Sequence, residues 1–124
     1  MPEVPSAQVF KAEQLDELFT SELCFITELC NTPIDAAVSI ARARVEPGIT
    51  TRWHRLSGIT ERYCILSGKG EVELDDSPPQ LVVAGDVVLI PPGTPQRIRN
   101  TGERDLLFLA ICSPRFVSSA YQEL

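Results

Sequence analysis

The sequence predicts an all-β fold, a sandwich or barrel of short strands. Three observations carry that expectation. Apolar runs of about four to eight residues recur after residue 36, a strand length rather than a helix length. Gly or Pro marks most breaks between them, at Pro47-Gly48, Ser57-Gly58, Gly68, Gly85-Asp86 and residues 91–95. Several of the runs alternate apolar with polar residues, the period of a strand with one face buried.

Taken in chain order, residues 1–10 read as a loose arm ending in the apolar pair Val9 and Phe10. Leu15, Leu18 and Phe19 have i, i+3, i+4 spacing, which predicts a short amphipathic helix over 11–19. Thr20-Ser21-Glu22 turns the chain. Residues 23–29 are rich in apolar side chains and predict a strand, and Asn31-Thr32-Pro33 is a turn signal. Residues 36–45 alternate as another strand. Further strands are predicted over 50–53, 61–66, 70–74, 80–83, 87–90, 96–99 and 106–112. The Ser57-Gly58 turn is expected to join its flanking strands as a hairpin. Residues 118–123 predict one helical turn capped by Ser118. No linker interrupts the chain, so its 124 residues form one domain: an N-terminal arm (1–35) whose short helix and strand pack on the barrel, the barrel itself (36–115), and a C-terminal tail (116–124).

Composition narrows the function. Hydrophobic residues make up 44% of the chain and aromatics only 6%, so the core should be aliphatic. The net charge of −6 argues against a nucleic-acid or anionic-membrane surface, which needs a basic patch. No apolar run reaches the roughly 18 residues of a membrane span. Met1-Pro2-Glu3-Val4-Pro5 lacks the charged and apolar regions of a signal peptide, and a cytoplasmic location is expected. Cys24, Cys30, Cys64 and Cys112 form no C-x-x-C pair and lie in apolar runs, which suits buried small hydrophobes.

Strand parity assembles a pocket, because residues two apart share a face. Arg52, His54 and Leu56 point one way, as do Glu61, Tyr63 and Ile65 on the next strand, and Gln96 and Ile98 on a later one. If all three faces point inward, His54, Glu61 and Gln96 converge on walls of Leu56, Tyr63, Ile65 and Ile98, the usual form of a small-molecule site. Arg52 is expected to pair with Glu61. Arg97, Arg99 and Trp53 should face outward. Arg42 and Arg44 alternate with Ala41, Ala43 and Val45, and either set could face inward. Inward arginines would make an anion pocket.

The pocket residues sit in two frames. The first is Gly48-x5-His54-x-Leu56-x4-Glu61-x6-Gly68, and the second is Gly85-x5-Pro91-x-Gly93-x2-Gln96-x3-Asn100. In order and spacing they resemble the two signature motifs of the cupin superfamily, and the resemblance covers residues 36–115. It implies a double-stranded β-helix, or jelly-roll barrel, commonly built as a homodimer, with a metal or ligand pocket in the barrel mouth. The family's metal-ligand positions map to His54, Leu56, Glu61 and Gln96, where three histidines and a glutamate are usual. Leu56 cannot ligate, and Gln96 ligates weakly through its amide oxygen.

Two readings of the pocket stay open. His54, Glu61 and Gln96 supply one nitrogen and two oxygen donors, enough for one divalent ion drawn from Mn, Zn, Ni or Fe, with the amide favouring harder ions. Alternatively they hydrogen-bond among themselves and bind a small polar metabolite with no metal. The corresponding functions are a metal-dependent enzyme (dioxygenase, sugar isomerase or epimerase, or lyase) and a binding module without turnover. A vestigial pocket in a structural protein is the third.

Overall fold

In the computed structural model, which describes residues 6–124, the strands form two antiparallel sheets stacked face to face. The larger sheet has the order β1 (Leu18–Phe19), β2 (Phe25–Cys30), β3 (Ser39–Val45), β10 (Leu106–Ser113), β5 (Thr60–Ser67) and β8 (Val87–Ile90). The smaller has the order β11 (Tyr121–Glu123), β4 (His54–Leu56), β9 (Gln96–Asn100), β6 (Lys69–Leu74) and β7 (Gln80–Val83). Chain neighbours repeatedly fall in different sheets, as a jelly roll requires.

The core follows from period-two alternation. Leu106, Phe108, Ala110 and Cys112 of β10 are buried while their neighbours are partly exposed. Val45, Ile90, Ile98 and Leu106 are at most 1% exposed, each contributing about 1.5–3 kcal/mol by leaving water. Ala43 and Val45 of β3 turn inward, which settles the arginines beside them. Arg44 pairs with Glu17 at 2.8 Å and Asp105 at 3.2 Å, and Arg42 reaches Thr27. The inward-arginine anion pocket therefore does not form. Gly68 is needed at its corner: its φ is +88°, and a Cβ there would lie 2.8 Å from the Asp105 carbonyl oxygen.

Four local expectations are overturned. The helix over 11–19 is absent; a single 3-10 turn, Ala12–Gln14, precedes strand β1. Nine residues are too few to hold a helix without packing. Leu18 and Phe19 instead pair in register with Ile26 and Phe25, and the Phe19 ring lies 4.9 Å from that of Phe25. Residues 50–53 form only an isolated bridge, Thr50 to Arg99, because the Thr51 hydroxyl takes the Ile98 N–H that a regular ladder would use. The tail makes a 3-10 turn, Ser118–Ala120, without a side-chain cap, and then adds β11, which covers the free edge of β4.

The fourth correction bears on the site. Ser57-Gly58 does not close a hairpin, since β4 and β5 lie in opposite sheets. Leu56 and Ile59, on either side of this corner, bury together with Cys112 and Ala120 and draw the chain across the sandwich. His54 and Glu61 are thereby mounted on different sheets.

Candidate functional site

A cavity of about 500 Å³ opens against the inner face of β2, β3, β5 and β10. Residues 15–22 flank it on one side, and Phe116, Ser118 and Tyr121 of the tail on the other. Small side chains make the space: Ser39, Ala41, Ala110 and Cys112 occupy inward strand positions where larger residues would fill it.

Glu61 is the deepest acid in this wall. Register places it opposite Cys112 on β10, whose thiol donates to Oε2 at 3.8 Å. The other oxygen, Oε1, is buried with no hydrogen-bond partner, although Glu61 is only 8% exposed. Burial pushes the carboxyl up to about 7, and the charge of Glu22 adds to the rise; Gln96 and Cys112 oppose it.

His54 is buried and lies across the sandwich, paired in register with Gln96. Its Nδ1 sits 2.8 Å from the Arg52 carbonyl oxygen, which can only accept, so Nδ1 carries a proton. Nε2 then faces Glu22 Oε2 at 3.6 Å, and the imidazole stacks on Tyr121 at 5.1 Å. Burial raises the Glu22 carboxyl, and the charge of His54 opposes. Glu22 reaches this position from a tight turn, in which Leu23 has φ +74° and the Arg52 N–H donates to the Glu22 carbonyl at 3.1 Å.

The remaining residues singled out by parity are distributed as follows. Gln96 is 1% exposed, and its Oε1 accepts from the Tyr63 hydroxyl across the two sheets. Tyr63 packs its ring 4.4 Å from Phe108, and Ile65 and Ile98 belong to the same central core. Leu56 belongs to the smaller core at the 57–58 corner. None of these five lines the cavity. Arg52 is about half exposed and lies 3.8 Å from Glu123, not beside Glu61. Arg97 stacks over the Trp53 ring at 4.5 Å and pairs with Glu73. Of the ligand and pocket residues expected from the sequence, Glu61 alone lines the cavity, and His54 meets its wall at Glu22.

Glu22, Glu28 and Tyr121 are the site residues that parity missed. Glu22 lies in a turn, where no period exists to orient a side chain. The inward small residues Ala41, Ala110 and Cys112 were the available signal for a cavity in this sheet. All four cysteines are free, and burial pushes the thiols of Cys24 and Cys112 up to about 12, so both stay protonated and unreactive. Among the described residues, no three His, Cys, Asp or Glu side chains group closely enough to hold a metal ion. No helix there is long and apolar enough to cross a membrane.

Comparison with known proteins adds to this geometry. A family model described as a cupin domain matches residues 41–112. An uncharacterised protein of Methanocaldococcus jannaschii is 33% identical over 84% of each chain. The oxalate-binding protein of Thermotoga maritima is 39% identical over 71 residues, covering 57% of this chain and 58% of that protein. Among solved structures, a predicted oxalate decarboxylase from Thermotoga maritima superposes with a TM-score of 0.77 at 26% identity, covering 86% of this chain and 99% of that one. Streptomyces Pac13, a nucleoside dehydratase, superposes with a TM-score of 0.80. It covers 96% of this chain and 92% of its own, but at 17% identity the likeness is one of fold.

Proposed function

Because this chain belongs to the cupin domain family, we propose that it is a binding module whose barrel mouth holds a small polar metabolite. The observation that carries this is the unpartnered Oε1 of Glu61 in the wall of a cavity of ligand size. A buried acceptor without a donor costs about 1–3 kcal/mol, and a ligand that supplies the donor recovers it. Tyr121, whose hydroxyl is also buried and unpartnered, lines the same space.

The donor set does not suit the family's metal centre. At the four ligand positions, Leu56 is apolar and the Gln96 amide oxygen is engaged by Tyr63. Only His54 Nε2 and the Glu61 carboxylate remain there, fewer than the three protein ligands of a usual catalytic site. Glu22, outside those positions, faces His54 Nε2 at 3.6 Å. These features support a pocket that works without a metal.

Filling the cavity tests this reading. In a thermal-shift screen of small amines, sugars and organic acids, at least one compound at ten times its Kd is expected to raise Tm by roughly 5 °C. Ala41→Phe, which fills the cavity from β3, is expected to abolish that response while remaining folded. A response that survives in Ala41→Phe would place the ligand elsewhere and reject the pocket.

The protein is further proposed to act as a homodimer. Leu81, Val83, Val87 and Leu89 are exposed on β7 and β8, the edge strands of the two sheets, and Leu66 adds to them. Aliphatic edge strands need cover, and a second copy supplies it. Light scattering after size exclusion is expected to give twice the chain mass; a monomer at micromolar concentration would remove the dimer. The four free thiols support a reducing, cytoplasmic setting.

A further inference from the structure

We infer that the ligand of this pocket carries a protonated amine on an apolar body, anchored by Glu61 and Glu22. The inference rests on the binding-module reading above and names the class of ligand. Four acids line the cavity, Asp16, Glu22, Glu28 and Glu61, and no Lys or Arg does. Arg42 reaches Thr27, Arg44 pairs with Glu17 and Asp105, and Arg52 lies beside Glu123 at the surface, while the charge of Arg115 acts on Glu28 at the edge of the cavity.

An acidic cluster alone is no site, but here one of its members is more than nine-tenths buried and faces the cavity without a donor. Several nearby donors are already engaged, although the Gln96 amide lies close enough to oppose the rise of the Glu61 carboxyl. Cys112 serves the other oxygen of Glu61, the Thr20 hydroxyl donates to the Cys24 carbonyl, and the Tyr63 hydroxyl goes to Gln96. An ammonium group has three N–H donors and no acceptor, so it suits a cavity lined by the unpartnered Glu61 Oε1 and Tyr121 hydroxyl and by Glu22.

Charge selects the same class. Burial raises the Glu61 carboxyl, and the charge of Glu22 raises it further. A cation between them relieves that repulsion. A carboxylate ligand would add a further negative charge to a wall lined by four acids and by no Lys or Arg, in a setting where charges are poorly screened. Oxalate, named for one relative, carries two such charges. The rest of the lining, including Leu15, Leu18, Ile26, Ala110 and Phe116, suits a hydrocarbon body rather than a second charged group.

The test uses three probes of one shape, benzylamine, benzyl alcohol and benzoate, titrated calorimetrically into the full-length protein at about pH 8, where the amine is protonated and Glu61 ionised. Benzylamine is expected to bind about tenfold more tightly than benzyl alcohol, and benzoate more weakly than either. Glu61→Gln should bring the amine-to-alcohol ratio close to one, and Glu22→Gln should lower the ratio in part. Because Glu61→Gln could also perturb packing, the affinity of toluene, which has the same ring and no polar group to meet Glu61, serves as the check on an intact cavity. The inference is overturned if benzyl alcohol or benzoate binds as tightly as benzylamine, or if the ratio persists in both variants. It is also overturned if manganese chloride occupies the same residues in preference to the amine. Alcohol or benzoate binding as tight as that of the amine, and abolished by Ala41→Phe, would sink the amine assignment but leave the pocket; binding of all three probes that ignores Ala41→Phe would sink both.

Discussion

Glu61→Gln is expected to make the protein more stable at about pH 8, by up to about 3 kcal/mol, and to flatten the fall of stability with rising pH. The reason is the buried carboxyl. Below its ordinary value of 4.5, the folded and unfolded chains both hold the proton and Glu61 has no effect. Between 4.5 and about 7 the unfolded chain releases the proton while the folded chain keeps it, so stability falls by about 1.36 kcal/mol per pH unit. Above about 7 both are ionised and the loss is complete. Glutamine cannot ionise and escapes that loss. Glu22 and Glu28 are also raised by burial, so a smaller slope of the same sign should persist in the variant. Urea unfolding at several pH values reads both effects. A wild-type stability that rises from about pH 5 to 8 would contradict the expectation. Stabilisation on removing a polar group is the mark of a residue kept for binding rather than for folding.

Asn100→Ala is expected to cost about 3–5 kcal/mol, lowering Tm by roughly 10–20 °C. Asn100 is 1% exposed and closes the end of β9. Its Nδ2 donates to the Val45 carbonyl at 2.8 Å and the Arg104 carbonyl at 2.7 Å, and its Oδ1 accepts the Gly102 N–H at 2.9 Å. Alanine deletes three hydrogen bonds at once and leaves backbone groups unpaired where β9 and β3 meet. Thermal unfolding by circular dichroism checks the size of the loss. A Tm within a few degrees of wild type would mean that water replaces the side chain.

These two residues also mark what could be read in advance. The Gly and Pro breaks bound the strands, and parity turned His54, Glu61 and Gln96 inward, because a half-buried strand offers only two faces. Asn100 ends the second frame, and its bond to Gly102 is local; its reach to Val45 depends on a neighbour far along the chain. The 57–58 turn was misread because a glycine at a corner sets a local φ but says nothing about which sheet the chain joins next. The cavity lies beside the converged trio rather than among it, since Gln96 and Tyr63 satisfy one another and close that space. Glu22 was hidden because its position depends on a tight turn, where Leu23 adopts φ +74°. The short helix failed for a related reason: i, i+3, i+4 spacing also fits two residues that pair as a strand edge.

The proposed pocket depends most on a Glu61 carboxyl that is buried, has one oxygen without a partner and is free to meet a ligand. Carbon-13 NMR of the side-chain carboxyl, titrated in the purified protein without ligand, measures this directly. A midpoint near 7 is expected, with the resonance assigned by its loss in Glu61→Gln. A midpoint at or below the ordinary 4.5 would mean that a cation, a metal ion or an internal donor already holds the carboxylate, and would contradict the proposed pocket.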